Sequence, residues 1–135
     1  MGKKLSGLVL VALLLTSFAA LTRAQDGIAT QRVQFAHGSS SSTVKGAIQA
    51  DVARDYVLGA KAGQTMSVKL ETTSNLYFNV LPPKSEEALF VGKMVADGEN
   101  WSGKLPADGD YTIRVYAMGD AKQGNHPFTG TISIK

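Results

Sequence analysis

The sequence predicts an all-β protein, a single antiparallel β-sandwich of about eight or nine strands. Three observations predict it. Short stretches alternate apolar and polar residues with period two, as Met66, Val68 and Leu70 do against Ser67, Lys69 and Glu71. Turn residues recur at roughly ten-residue spacing, the rhythm of a sandwich or barrel. No segment after the first 24 residues sustains a helical repeat.

Residues 1–24 read as a secretory signal. Lys3 and Lys4 are followed by an apolar run over residues 8–15, and Thr22-Arg23-Ala24 offers a small residue for cleavage. Ser17-Phe18-Ala19 is a second candidate cut. The run is shorter than the ~20 residues a spanning helix needs, so no stable membrane insertion is expected after cleavage. Residues 25–135 then form one domain. Of the 14 basic residues, Lys3, Lys4 and Arg23 leave with the signal. The remaining 11 balance the 11 acidic residues, so no field is left to attract nucleic acid. Export places the domain in the periplasm or outside the cell. It carries no cysteine, so packing and hydrogen bonds must replace the disulfides common in small exported domains.

The elements follow in order. Residues 25–30 are an exposed lead-in, and residues 32–35 alternate as a first strand. Gly38 and Ser39 to Ser42 make a polar loop too short to link domains. Residues 43–49 form a strand in which Val44, Gly46 and Ile48 share a direction and Gly46 suggests a bulge. Asp51 starts a turn, and residues 55–60 form the next strand. Lys61-Ala62-Gly63-Gln64 is a turn that needs its glycine. Residues 66–71 are a half-buried strand. Residues 76–81 are the most apolar stretch, stopped by Pro82-Pro83. A solvated loop at Ser85-Glu86-Glu87 precedes a short strand over 88–91, and a turn over 96–99 follows it. Trp101, Gly103 and Leu105 alternate in the next strand, which Pro106-Ala107-Asp108-Gly109 ends. Tyr111, Ile113 and Val115 face inward from the strand after that; Thr112, Arg114 and Tyr116 face outward. Residues 131–134 close the domain.

Residues 118–127 are the longest polar interruption, from Met118 to Pro127. A hairpin closes with two to five residues, so the extra length asks for a functional reason.

Catalytic chemistry is hard to find. His37 and His126 sit beside turn residues without metal-ligand spacing and read as solvent-facing loop residues. The serine run lacks the strand-to-helix elbow of a hydrolase nucleophile. Glu86 and Glu87 are neighbours, not two acids facing each other across a bond. The Asp-Gly pairs at Asp97 and Asp108 read as turns, without the spacing of an EF-hand. No catalytic residue, metal ligand or cofactor is expected. Trp101 reads as a core residue before a sugar-stacking one. Arg114 and Tyr116 fit equally a binding anchor and an ordinary surface pair.

The segment from Asp55 to Thr65 (Asp-Tyr-Val-Leu-Gly-Ala-Lys-Ala-Gly-Gln-Thr) resembles the opening of pre-peptidase C-terminal-like β-sandwich domains. So do the Leu76-Tyr77-Phe78-Asn79-Val80 strand and the stretch from Leu105 to Tyr116. Within that group the chain is most similar to the periplasmic inhibitors of g-type lysozyme, through Arg32-Val33-Gln34-Phe35-Ala36, Tyr77-Phe78-Asn79 and Val115-Tyr116-Ala117-Met118. The resemblance implies a non-catalytic protein whose partner is g-type lysozyme and whose loops block the enzyme's cleft, protecting bacterial peptidoglycan. It directs attention to Arg114, Tyr116, Met118, Asp120, Lys122, Asn125 and His126. Lys122 would meet a cleft carboxylate, Asn125 and His126 would hydrogen-bond, and Arg114 and Tyr116 would form the rigid approach. It also implies a more arginine-rich run after the methionine. Here Lys122 is the one cation, beside Asp120. An exposed ion pair contributes only ~0–1 kcal/mol, so burial by other residues has to supply the rest. The alternative is a carbohydrate- or envelope-binding module without catalytic activity. The sequence is silent on oligomeric state.

Overall fold

The computed structural model describes residues 28–135. The signal peptide read over residues 1–24 lies outside them. Nine strands form two packed sheets, β1 (Ala29–Arg32), β2 (Ser41–Gln49), β3 (Arg54–Ala60), β4 (Thr65–Glu71), β5 (Leu76–Leu81), β6 (Phe90–Val91), β7 (Asn100–Lys104), β8 (Gly109–Ala117) and β9 (Asn125–Ile134). One sheet has the order β1-β3-β8-β5-β6 and the other β2-β9-β4-β7. The fold is the all-β sandwich that the alternation predicts.

Burial follows the period-two pattern. Met66, Val68 and Leu70 of β4, Phe78 and Val80 of β5, and Ile113 and Val115 of β8 are buried between the sheets. Trp101 is half-buried at the sandwich margin, where it packs on the core with its ring 6.1 Å from that of Phe90. Tyr111 is fully buried, and its hydroxyl donates to Ala107 O at 2.6 Å, pinning the turn before its own strand. This is the job of a tyrosine corner in a sandwich.

Four local expectations change. The first strand lies earlier, over Ala29–Arg32, and pairs with β3 in parallel, whereas every other ladder is antiparallel. Parallel pairing is possible there because β2 crosses to the other sheet between them. Gly46 marks no bulge, since the β2–β9 register runs unbroken through Gly46↔Phe128. A Cβ there would stand 2.6 Å from the Tyr56 hydroxyl and 2.9 Å from the Phe128 ring, so the glycine makes room for core aromatics. The last strand begins at Asn125, six residues before the expected start at 131. The interruption after β8 therefore shrinks to Met118–Gly124, shorter than the eight residues each of 33–40, 82–89 and 92–99.

Candidate functional site

Met118–Gly124 sits at the end of the sandwich where β8 leaves one sheet and β9 enters the other. Its approach is the outer face of β8. Arg114 lies in register between Asp55 of β3 and Asn79 of β5, and Tyr116 lies opposite Tyr77. The Arg114 guanidinium donates from Nε and Nη2 to the two oxygens of Asp55 at 2.8 and 2.9 Å. This bidentate bond raises the Arg114 pKa above its ordinary value. The Tyr116 hydroxyl donates to Asn79 Oδ1 at 2.8 Å and accepts the Lys93 N–H at 3.4 Å. Burial raises the phenol's pKa. Arg114 and Tyr116 are thus fixed by bonds within their own sheet, which makes them stiff supports.

The loop is equally well fastened. Met118 continues extended, with φ −128° and ψ 153°, so alternation carries it onto the face of Arg114 and Tyr116. Gly119 takes φ 59°, and Gly119–Lys122 then form one 3₁₀ turn. The turn folds Ala121 inward, where it is buried. The Met118 N–H donates to Asn75 O at 3.0 Å, and the Asn75 amide returns a bond to Met118 O at 3.1 Å. At the far end, Ala50 N–H donates to Gly124 O at 3.1 Å. Ala50 and Asp51 both hold positive φ, 53° and 62°, a tight left-handed turn beside the loop.

His126 is a correction to the solvent-facing expectation. It stands on β9, paired with Ile48, and is half-buried. Its Nε2 lies 2.6 Å from Gln123 O, and its Nδ1 lies 2.8 Å from the Ser74 hydroxyl. A carbonyl can only accept, so Nε2 donates to Gln123 O, and Nδ1 and the Ser74 hydroxyl share the second bond. His126 thereby clamps the loop. Asn125 also belongs to β9, paired with Gln49, and is exposed. Asp120, Lys122 and Gln123 are exposed. Asp120 and Lys122 form no ion pair with each other or with any described residue, so the Lys122 charge is available. His37 is exposed in its loop, as expected.

The structure places the seven residues of interest along β8, the Met118–Gly124 turn and the start of β9, in three settings. Arg114, Tyr116 and His126 hold the support, Met118 is half-buried at its rim, and Asp120, Lys122 and Asn125 face outward. Ser74, Asn75 and Ala50 join the site without any signal of that role in the residue pattern. The polar run Thr72-Thr73-Ser74-Asn75 signals a turn, but only the fold shows what it braces. Among the described residues no three His, Asp or Glu side chains are grouped to hold a metal.

Comparison with solved structures places this arrangement. The Aeromonas hydrophila PliG crystal structure, a periplasmic inhibitor of g-type lysozyme, shares 41% identity, with a TM-score of 0.73 over 80% of this chain and 97% of that one. The chain belongs to the family of periplasmic g-type lysozyme inhibitors. An Escherichia coli PliG mutant is similar at 25% identity and TM-score 0.64, over 78% of this chain and 97% of that one. The pre-peptidase C-terminal domain of a Bacillus anthracis collagenase, at 16% identity and TM-score 0.54 over 78% and 94%, shares the PliG sandwich alone. Neither a family model nor a curated protein sequence matches the chain.

Proposed function

We propose that this protein is a periplasmic inhibitor of g-type lysozyme that acts without catalysis, by seating the Met118–His126 end of its sandwich in the enzyme's cleft. The observation that carries the reading is the 41% identity to the Aeromonas hydrophila inhibitor across 97% of that chain. The geometry supports it. An inhibitor needs polar donors held on a rigid base, so that little freedom is lost on binding. Here Lys122 projects from a loop braced through Asn75, His126 and Ala50, and Asn125 is exposed at the start of β9 beside it. A glycoside-hydrolase cleft carries carboxylates that a free lysine complements. The test is a lysis assay with g-type and c-type lysozymes and the purified protein lacking residues 1–24. Inhibition of the g-type enzyme at micromolar excess is expected. Replacing Lys122 and Asn125 with alanine should weaken it without lowering the melting temperature. Full lysis at molar excess of the unaltered protein rejects the proposal.

A second reading has one observation behind it. On the outer face of the four-stranded sheet, Ser41, Ser133, Ser67 and Ser102 lie in one register row across all four strands. Such a neutral hydroxyl row suits a sugar chain. Retention on peptidoglycan, together with undiminished lysozyme activity, would favour an envelope-binding module instead.

A further inference from the structure

We infer that the turn after β6 forms a second, apolar contact in the same complex, with Met94 and Val95 as its anchor. This inference rests on the lysozyme-inhibitor reading above. Met94 is 75% exposed and Val95 46%, and they are the exposed large apolar side chains among the described residues. A single exposed apolar residue is ordinary. Two consecutive ones on a rigid tip are not, because nothing in the fold needs them there.

The tip is rigid by construction. Gly92–Met94 is one 3₁₀ turn, closed by Val95 N–H to Gly92 O. A Cβ on Gly92 would meet Phe78 O at 2.6 Å and Gly98 O at 2.9 Å, so the turn is seated directly on the β5 backbone. Gly98 closes the other side and is buried. Lys93 N–H donates to the Tyr116 hydroxyl, which ties the tip to β8. Met118 comes two residues after Tyr116 on the same face, about 7 Å further along the extended chain. Tyr116 therefore links the turn that carries Met94 to Met118 and the candidate loop, with the half-buried Tyr77 ring beside it.

The chemistry complements what the loop lacks. One available lysine confers direction and attraction but little affinity. Protein interfaces take most of their affinity from a few desolvated anchors surrounded by a polar rim, and methionine is enriched among them. Met94 can adapt its unbranched side chain to a neighbouring surface. Lys93, exposed beside it, and Lys122 form no ion pair among the described residues, and both suit an acidic cleft. The occupant is therefore the rim of the same lysozyme cleft.

The experiment compares the unaltered protein, Met94→Asp, and Met94→Asp with Val95→Asp, by g-type lysozyme inhibition and by thermal melting. A carboxylate resists desolvation, so each variant should weaken inhibition about tenfold or more, as loss of an interface anchor does. The melting temperature should stay unchanged, since both side chains already face solvent. Sedimentation of the protein alone should show the same mass for all three. Inhibition as strong as the unaltered protein's overturns this inference and leaves the inhibitor reading intact. Loss of self-association with inhibition unchanged overturns it too, and assigns the tip to a second copy of the chain. No inhibition by the unaltered protein overturns both.

Discussion

Arg114 faces outward from β8, yet its guanidinium turns back onto Asp55, a carboxylate only 8% exposed. Its replacement therefore affects the scaffold before the partner. Arg114→Ala leaves that carboxylate buried without its donors and should cost about 2 kcal/mol in urea unfolding. Arg114→Lys should recover only part of this, because a lysine cannot reproduce the fork. An unfolding midpoint unmoved by Arg114→Ala would mean that the pair adds nothing. Tyr56 presents the opposite case: it is 1% exposed, and its hydroxyl makes no well-formed hydrogen bond among the described residues, although Arg54 lies close enough to act on it. Tyr56→Phe keeps the ring and removes the orphan, so stability should hold or rise by about 1 kcal/mol; a clear loss would show that the hydroxyl is satisfied. Alternation in the sequence told which way each of these side chains points. It could not tell that Arg114 meets a carboxylate 59 positions away, because such a meeting depends on which strands become neighbours.

Among the elements, the segment after β8 matters most. Residues 118–127 read as one long polar excursion, but the chain is back in a ladder by Asn125. Pro127 hid this, since proline normally argues against a strand interior. It is tolerated because β4 pairs with β9 only from Thr129 onward, so Pro127 has a strand neighbour on one side alone. What remains is a short braced turn. The bond from Asn75 to Met118 O is the most accessible brace. Asn75→Ala should leave the melting temperature nearly unchanged but weaken lysozyme inhibition roughly fivefold, the equivalent of about one net hydrogen bond. Unchanged inhibition would mean that the turn holds its shape without Asn75. The first strand was displaced for a related reason. Val33 and Phe35 pack on the core from outside β1, so the apolar pattern marked the packing and not the ladder.

For the molecule as a whole, strand count and core were legible because β2, β3, β4, β5, β8 and β9 each bury one face and must largely alternate. The division into sheets was not, since alternation carries no record of partners. The finished sandwich buries its tyrosines enough to set an alkaline limit. Burial raises the pKa of both Tyr56 and Tyr116 above 10.0, partly opposed at Tyr56 by Arg54. The folded state therefore binds phenolic protons more tightly than the unfolded chain does. That stabilisation is complete below the unfolded phenol value and is lost as pH rises through the folded one. Unfolding free energy should fall above about pH 10, and less steeply in Tyr56→Phe; equal slopes for the two proteins would contradict this. The central claim concerns the molecule acting as one rigid body whose braced end occupies an enzyme cleft. Calorimetric titration of g-type lysozyme, with and without a saturating chitooligosaccharide in the cleft, tests it most directly. The account predicts tight binding to the free enzyme and a large loss of apparent affinity when the sugar is present. Equal affinity in both titrations would place the contact away from the cleft and contradict the account.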